Sequence, residues 1–149
     1  WGSLAALVLY VLGLVAADAS GMRPQVYGAL ACLLMVILFS IASLSLGRHA
    51  ERVAGQRDPS WFVLDEMAGV FLALFGLATY NFAFAGLAFL LFRLFDALKL
   101  AGVGWVEKRF GGAVGILLDD LVAASLANLL VRVLLIPPLL YYGVVSEAF

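Results

Sequence analysis

Charge is what this chain has least of. Only 13% of its 149 residues are Asp, Glu, Lys or Arg, against 65% hydrophobic, and mean hydropathy is +1.10. Soluble domains carry about a quarter charged residues, so a normal aqueous surface is excluded and the bilayer is the expected solvent. A single cysteine, Cys32, excludes a disulfide framework and a thiolate metal site; inside an apolar run it reads as a small hydrophobe. A single histidine, His49, without a cysteine cluster argues against zinc. With a net charge of −1, no basic run and no aromatic–basic interleaving, no nucleic-acid partner is expected. No initiator Met or basic leader precedes the first apolar run, so no signal peptide is visible and the natural N-terminus is expected before Trp1. No repeat or low-complexity tract divides the chain, which reads as one domain over 1–149.

Long apolar runs are what it does have. Leu4 to Ala17 is short of the roughly 20 residues a span needs, and residues before Trp1 are expected to complete it. Asp18, Gly21, Arg23 and Pro24 then form a polar turn. Gln25 to Gly47 carries no charge and reads as a full span, followed by a polar loop, "GRHAERVAGQRDPS". Leu121 to Val145 reads as a last span, interrupted by Arg132, which snorkels or pairs within the bundle, and by Pro137–Pro138.

Met67 to Phe92 is uncharged and admits two arrangements. As one helix it extends about 39 Å and crosses once. Broken at "ATYNF", it forms a hairpin of two short helices returning to the face it left. Positive charge arbitrates. Arg48, Arg52 and Arg57 precede the run; Arg93, Lys99, Lys108 and Arg109 follow it. Basic loops stay cytoplasmic, and only the hairpin keeps both on one side. The expected fold is an all-α integral membrane protein: a helical bundle of about three full spans plus the hairpin.

The few charges left are placed oddly. Asp65–Glu66 opens one apolar run, Asp119–Asp120 interrupts another, and "FRLFDALKL" sets Arg93, Asp96 and Lys99 three residues apart. Ionisable residues bordering membrane segments mark functional sites by default. The plain alternatives are helix capping for the acidic pairs and an i,i+3 ion pair for Arg93 and Asp96; neither explains the three together. Five carboxylates need compensation, and oxygen-only ligands suit Mg²⁺. Arg93 and Lys99 offer donors suited to a phosphate. Gly111 and Gly112, in "RFGGAVG", either cradle phosphate through backbone N–H groups or simply start a helix. Asp58, before Pro59, reads as the start of a turn. Carboxylates, a hard cation and a cationic clamp are the parts of phosphoryl transfer.

"DPSWFVLDEMAGV", "FRLFDALK" and "GGAVGILLDD" together resemble, in order and spacing, the signature blocks of the phosphatidylglycerophosphatase A family. "WGSLAAL" is similar to the end of its N-terminal segment. The chain departs from the family pattern at "LAGVGW", where a Pro-Trp-Pro-like stretch is usual, at Phe110, where His is common, and by one residue between Gly112 and Gly115. The resemblance implies Mg²⁺-dependent hydrolysis of the membrane lipid phosphatidylglycerophosphate to phosphatidylglycerol and inorganic phosphate. It implies a multi-pass protein of the bacterial inner membrane with its site facing the cytoplasm. Asp65, Glu66, Asp119 and Asp120 are expected to hold metal and orient water, with Asp96 a further ligand or the base. Arg93, Lys99, Gly111, Gly112 and Ser3 are expected at the substrate phosphate. Metal-activated water is the preferred nucleophile, a carboxylate the alternative. A homo-oligomer is compatible with this expectation. A non-enzymatic ion or proton pathway, or another lipid-phosphate enzyme, are the competing classes.

Overall fold

The computed structural model describes residues 1–21, 23–56, 59–77, 82–99 and 103–135. Every element among them is helical: α1 (Gly2–Ala19), α2 (Pro24–Ala54), α3 (Leu64–Leu74), α4 (Phe82–Leu98), α5 (Val103–Phe110) and α6 (Gly112–Leu130). A π-helical turn, Val131–Leu135, extends α6. Among the described residues, three helices are long and apolar enough to cross a membrane: Gly2–Ala19, Val26–Ala54 and Gly112–Val133. The expected all-α membrane bundle is what forms.

α2 begins with Pro24 in its first turn, where a missing N–H removes no helical bond. It ends at Gly55 in the left-handed region, with Arg52 set against the negative end of the helix dipole. Its 31 residues extend about 46 Å, well beyond a hydrocarbon core of about 30 Å. The stretch from Gly47 to Ala54, expected as loop, is therefore the helix's last two turns. Only 11% of the most apolar window of α2 is buried, so its sides face lipid.

α3 is the opposite case. It is 11 residues long, about 16 Å, too short to cross, and packs against α1, α2, α4 and α6. With lipid on both sides of the comparison, burying apolar surface drives helix association little, and close packing of small residues does the work. Ala68 and Ala73 of α3 and Ala123, Ala124 and Ala127 of α6 are fully buried. A Cβ added at Gly69 would meet the Phe92 ring at 2.8 Å and Asp120 Cβ at 3.3 Å. That glycine lets α3, α4 and α6 touch, and it fixes how close Asp120 comes to α3.

The hairpin expected over 67–92 is present, and the break begins earlier than "ATYNF". α3 stops at Leu74, and Gly76 takes φ +68, a conformation open to glycine. Thr79, Tyr80 and Asn81 lie outside the described residues. Backbone left unpaired in hydrocarbon is tolerated only where protein satisfies it, and α6 supplies the donors. Asn128 Nδ2 donates to Ala73 O at 2.8 Å and to Phe75 O at 3.0 Å. Arg132 Nη2 also donates to Phe75 O, while its Nε donates to Asn128 Oδ1 at 2.7 Å. Arg132 thus pairs within the bundle, one of its two expected roles. It sits in the π-helical turn, a local widening that often accompanies a functional constraint.

The last span also starts earlier than expected, at Gly112 rather than Leu121; the part of 121–145 beyond 135 lies outside the described residues. Asp119 and Asp120 therefore stand about two turns inside α6. Capping cannot account for them.

Candidate active site

One cavity gathers the charges. Asp65 and Glu66 come from the first turn of α3, Arg93 and Asp96 from α4, Lys99 from just beyond its end, and Asp119 and Asp120 from α6. All of them line a single cavity of about 190 Å³, with Ser60, Phe62, Val63 and Ile116 completing its walls. A single crossing over 67–92 would have separated these groups by the full bilayer. The hairpin is what brings them together.

The acids form the floor and the cations the mouth. Asp65, Asp119 and Asp120 are 4%, 1% and 7% exposed, while the Arg93 and Lys99 side chains keep 40% and 45% of their surface open. Arg93 Nη1 bridges Glu66 Oε1 and Asp96 Oδ2, the latter at 3.0 Å. Lys99 Nζ pairs with Asp119 Oδ2 and lies 3.9 Å from Asp96 Oδ1. Lys99 has φ +50, the sole non-glycine residue in the left-handed region among those described. A β-carbon is unfavourable there by about 1–2 kcal/mol, and strain of this kind collects at functional sites.

Ser3 enters from α1. Its N–H donates to Glu66 Oε2 at 3.1 Å and its hydroxyl to Glu66 Oε1. It therefore holds Glu66. Asp65 Oδ1 accepts from the Glu66 N–H at 3.0 Å, which ties the two acids of the doublet to each other. Both sit in the first turn of α3, where negative charge complements the helix dipole. The dipole role and the cavity role coexist.

Five carboxylates share the cavity with two cations. Asp119 Oδ1 is buried and has no hydrogen-bond partner, although Oδ2 meets Lys99. Among the described residues, no three His, Cys, Asp or Glu side chains already converge at metal-binding spacing; Glu66, Asp96 and Asp119 instead hold the local cations. Gly111 and Gly112 stand elsewhere. They line a separate open groove of about 1190 Å³ between the end of α2 and the start of α6, together with Arg48 and Arg52. Asp58 lies outside the described residues. Glu51, in the stretch expected as loop, has a buried carboxylate oxygen close behind the cavity. Its signal in the sequence is the continuation of a helical face through "RHAERVA", hidden by the residues' polarity.

The family profile described as Phosphatidylglycerophosphatase A matches residues 1–135. A Haemophilus influenzae protein named Phosphatidylglycerophosphatase A is 30% identical over 132 residues, 88% of this chain and 74% of the relative. One of the same name from Escherichia coli is 28% identical over 94 residues, 63% and 55% of the two chains. A Bacteroides thetaiotaomicron protein with the provisional name phosphatidylinositol-3-phosphatase is 36% identical over 101 residues, 66% of this chain. The match spans 62% of that relative's length. No solved structure matches the chain.

Proposed function

Because the chain belongs to the phosphatidylglycerophosphatase A family, we propose that it hydrolyses the phosphomonoester of phosphatidylglycerophosphate, with Mg²⁺, at the cytoplasmic face of a bacterial membrane. The observation that carries this reading is the single cavity in which buried carboxylates face Arg93 and Lys99 at its mouth. A lipid keeps its acyl chains in the bilayer while its terminal phosphate enters such a cavity from the interface.

The donor set fits the metal. It is all oxygen, it carries negative charge in excess, and Asp119 Oδ1 is a buried acceptor without a donor. Asp65, Glu66, Asp119 and Asp120 are the residues that would hold Mg²⁺, which when bound supplies neutralisation of phosphoryl charge and activation of water. Arg93 and Lys99 bind the phosphoryl oxygens, Arg93 through its planar fork. Asp96, between the two cations, accepts the proton of the attacking water. The water oxygen forms a bond to phosphorus as the bond to the glycerol oxygen breaks, and the leaving glycerol oxygen takes the proton that Asp96 accepted. Ser3 keeps Glu66 aimed at the cavity. Gly111 and Gly112 meet the part of the headgroup that extends into their groove. An ion or proton pathway fits less well. The polar pair at membrane depth, Asn128 and Arg132, is engaged with backbone carbonyls.

Purified protein is expected to release phosphate from phosphatidylglycerophosphate with Mg²⁺ present, to stop when EDTA is added, and to resume when Mg²⁺ is restored. Full turnover in metal-free buffer sinks the metal assignment. Release from phosphatidylinositol 3-phosphate alone moves the substrate to the other lipid named among the relatives.

Orientation has its own test. Cysteines at Gln56 and Val106, in a Cys32→Ala background, are expected to react with an impermeant maleimide from the cytoplasmic side. Labelling of the pair from the opposite side reverses the proposed orientation.

A further inference from the structure

Behind Asp65 lies a second, much smaller chamber. Ser43 and Glu51 of α2, Pro59 and Phe62 of the connection, and Asp65 of α3 line it. Its volume is about 10 Å³, room for about one water. Asp65 belongs to both spaces: it is a wall of this chamber and of the catalytic cavity.

Glu51 faces the chamber with an unmet demand. Its Oε1 is buried and has no hydrogen-bond partner. The neighbouring arginines do not relieve it. Arg52 Nε donates to the Arg48 carbonyl at 3.3 Å, and no ion pair to Glu51 forms among the described residues. A buried acceptor left without a donor is unfavourable, and buried polar atoms normally find a protein or water partner. The chamber has the size for one water. Its walls are mostly apolar, with Gly47, Ala113 and Ile116 beside Pro59 and Phe62, and the side chains of Ser43, Glu51 and Asp65 are the polar groups left to hold that water. Two carboxylates cannot hydrogen-bond each other as anions, whereas a water between them donates to both.

We propose that one water in this chamber donates one hydrogen to Glu51 Oε1 and the other to the Asp65 carboxylate, making Glu51 a positioning residue for Asp65. The bridge ties the last turn of α2 to the first turn of α3. It rests on the assignment of Asp65 to the active site. Glu51 also borders the groove of Gly111 and Gly112, but the role assigned to it here is through its buried Oε1, fixing the orientation of a carboxylate that meets the metal. Partners of this kind behind a ligand commonly change affinity or activity by about 10- to 100-fold when removed.

The test pairs Glu51→Met, which keeps the length and removes the polar atoms, with Glu51→Gln, whose amide oxygen still accepts from the water. Glu51→Met is expected to lower kcat by about 10- to 100-fold and leave KM within about twofold of wild type. Its melting temperature is expected not to fall, since an unbonded buried oxygen has been removed. Glu51→Gln is expected to fall between, and Mn²⁺ binding followed by electron paramagnetic resonance should weaken in the same order. A Glu51→Met protein with wild-type turnover overturns the proposal. If that variant does not fold, Glu51→Ala, which also removes the acceptor, decides, and wild-type turnover in it overturns the proposal too. Should the wild type hydrolyse no lipid phosphate, the proposed function fails first; equal Mn²⁺ binding by wild type and Glu51→Met, including none, then overturns this inference separately.

Discussion

Asp120→Asn is expected to lower turnover about a thousandfold or more, roughly 4 kcal/mol of transition-state stabilisation at 1.36 kcal/mol per tenfold. Asparagine keeps the shape of a side chain packed on the α3 contact at Gly69, so the fold should survive. What is lost is one negative charge from the floor of the cavity, and with it part of the hold on the cation. High Mg²⁺ should restore only part of the rate. Arg93→Lys provides the contrast, because it keeps the charge but loses the planar guanidinium, whose Nη1 bridges Glu66 and Asp96 and whose remaining N–H groups are the proposed phosphate donors. It should reduce turnover while leaving the Mg²⁺ requirement near that of wild type. Near-normal activity in Asp120→Asn removes the acidic pair from the chemistry. Capping offers no refuge, since Asp120 is far inside α6.

Asn128→Leu is expected to destabilise the protein by about 3 kcal/mol, read as a shift in the unfolding midpoint in mixed detergent. Side-chain hydrogen bonds between membrane helices average only about 0.6 kcal/mol, because the chain unfolded in the membrane also finds partners. Here the acceptors are backbone carbonyls at a helix break, and a carbonyl left bare in hydrocarbon costs several times that. Ala73 O loses its Asn128 donor, and Arg132 Nε loses its acceptor, leaving a cation poorly paired. The double variant Asn128→Leu/Arg132→Leu should therefore be less unstable than the two single losses added together. An unchanged midpoint in Asn128→Leu shows that the break is held by other contacts.

The charged residues were legible in the sequence because a bilayer penalises each of them. Asp65, Glu66, Arg93, Asp96, Lys99, Asp119 and Asp120 stand out against apolar runs, and the distribution of basic residues favours the hairpin that gathers them. Helix ends were less legible, for the same reason. Charges inside an apolar run look like a boundary, so α6 seems to begin after Asp120, when Lys99 on another element compensates Asp119 within the helix. Polar residues after Gly47 look like a loop, when α2 merely continues beyond the hydrocarbon to Ala54. Glu51 is hidden by that misreading. The hairpin break is set by Gly76 with Asn128 and Arg132, partners over fifty residues apart that no local pattern connects.

The hairpin has a consequence for accounting by leaflet. The start of α3 and the end of α4 lie on one side of the bundle and share the cavity, so the proposed site opens to one membrane face. A lipid phosphate is too polar to be drawn through hydrocarbon to reach it. On the proposed function, hydrolysis therefore reads only the lipid monolayer that the cavity opens onto. In a sealed membrane, substrate in the other monolayer is spared for as long as it stays there, and transbilayer movement, not catalysis, sets how fast that second pool is consumed.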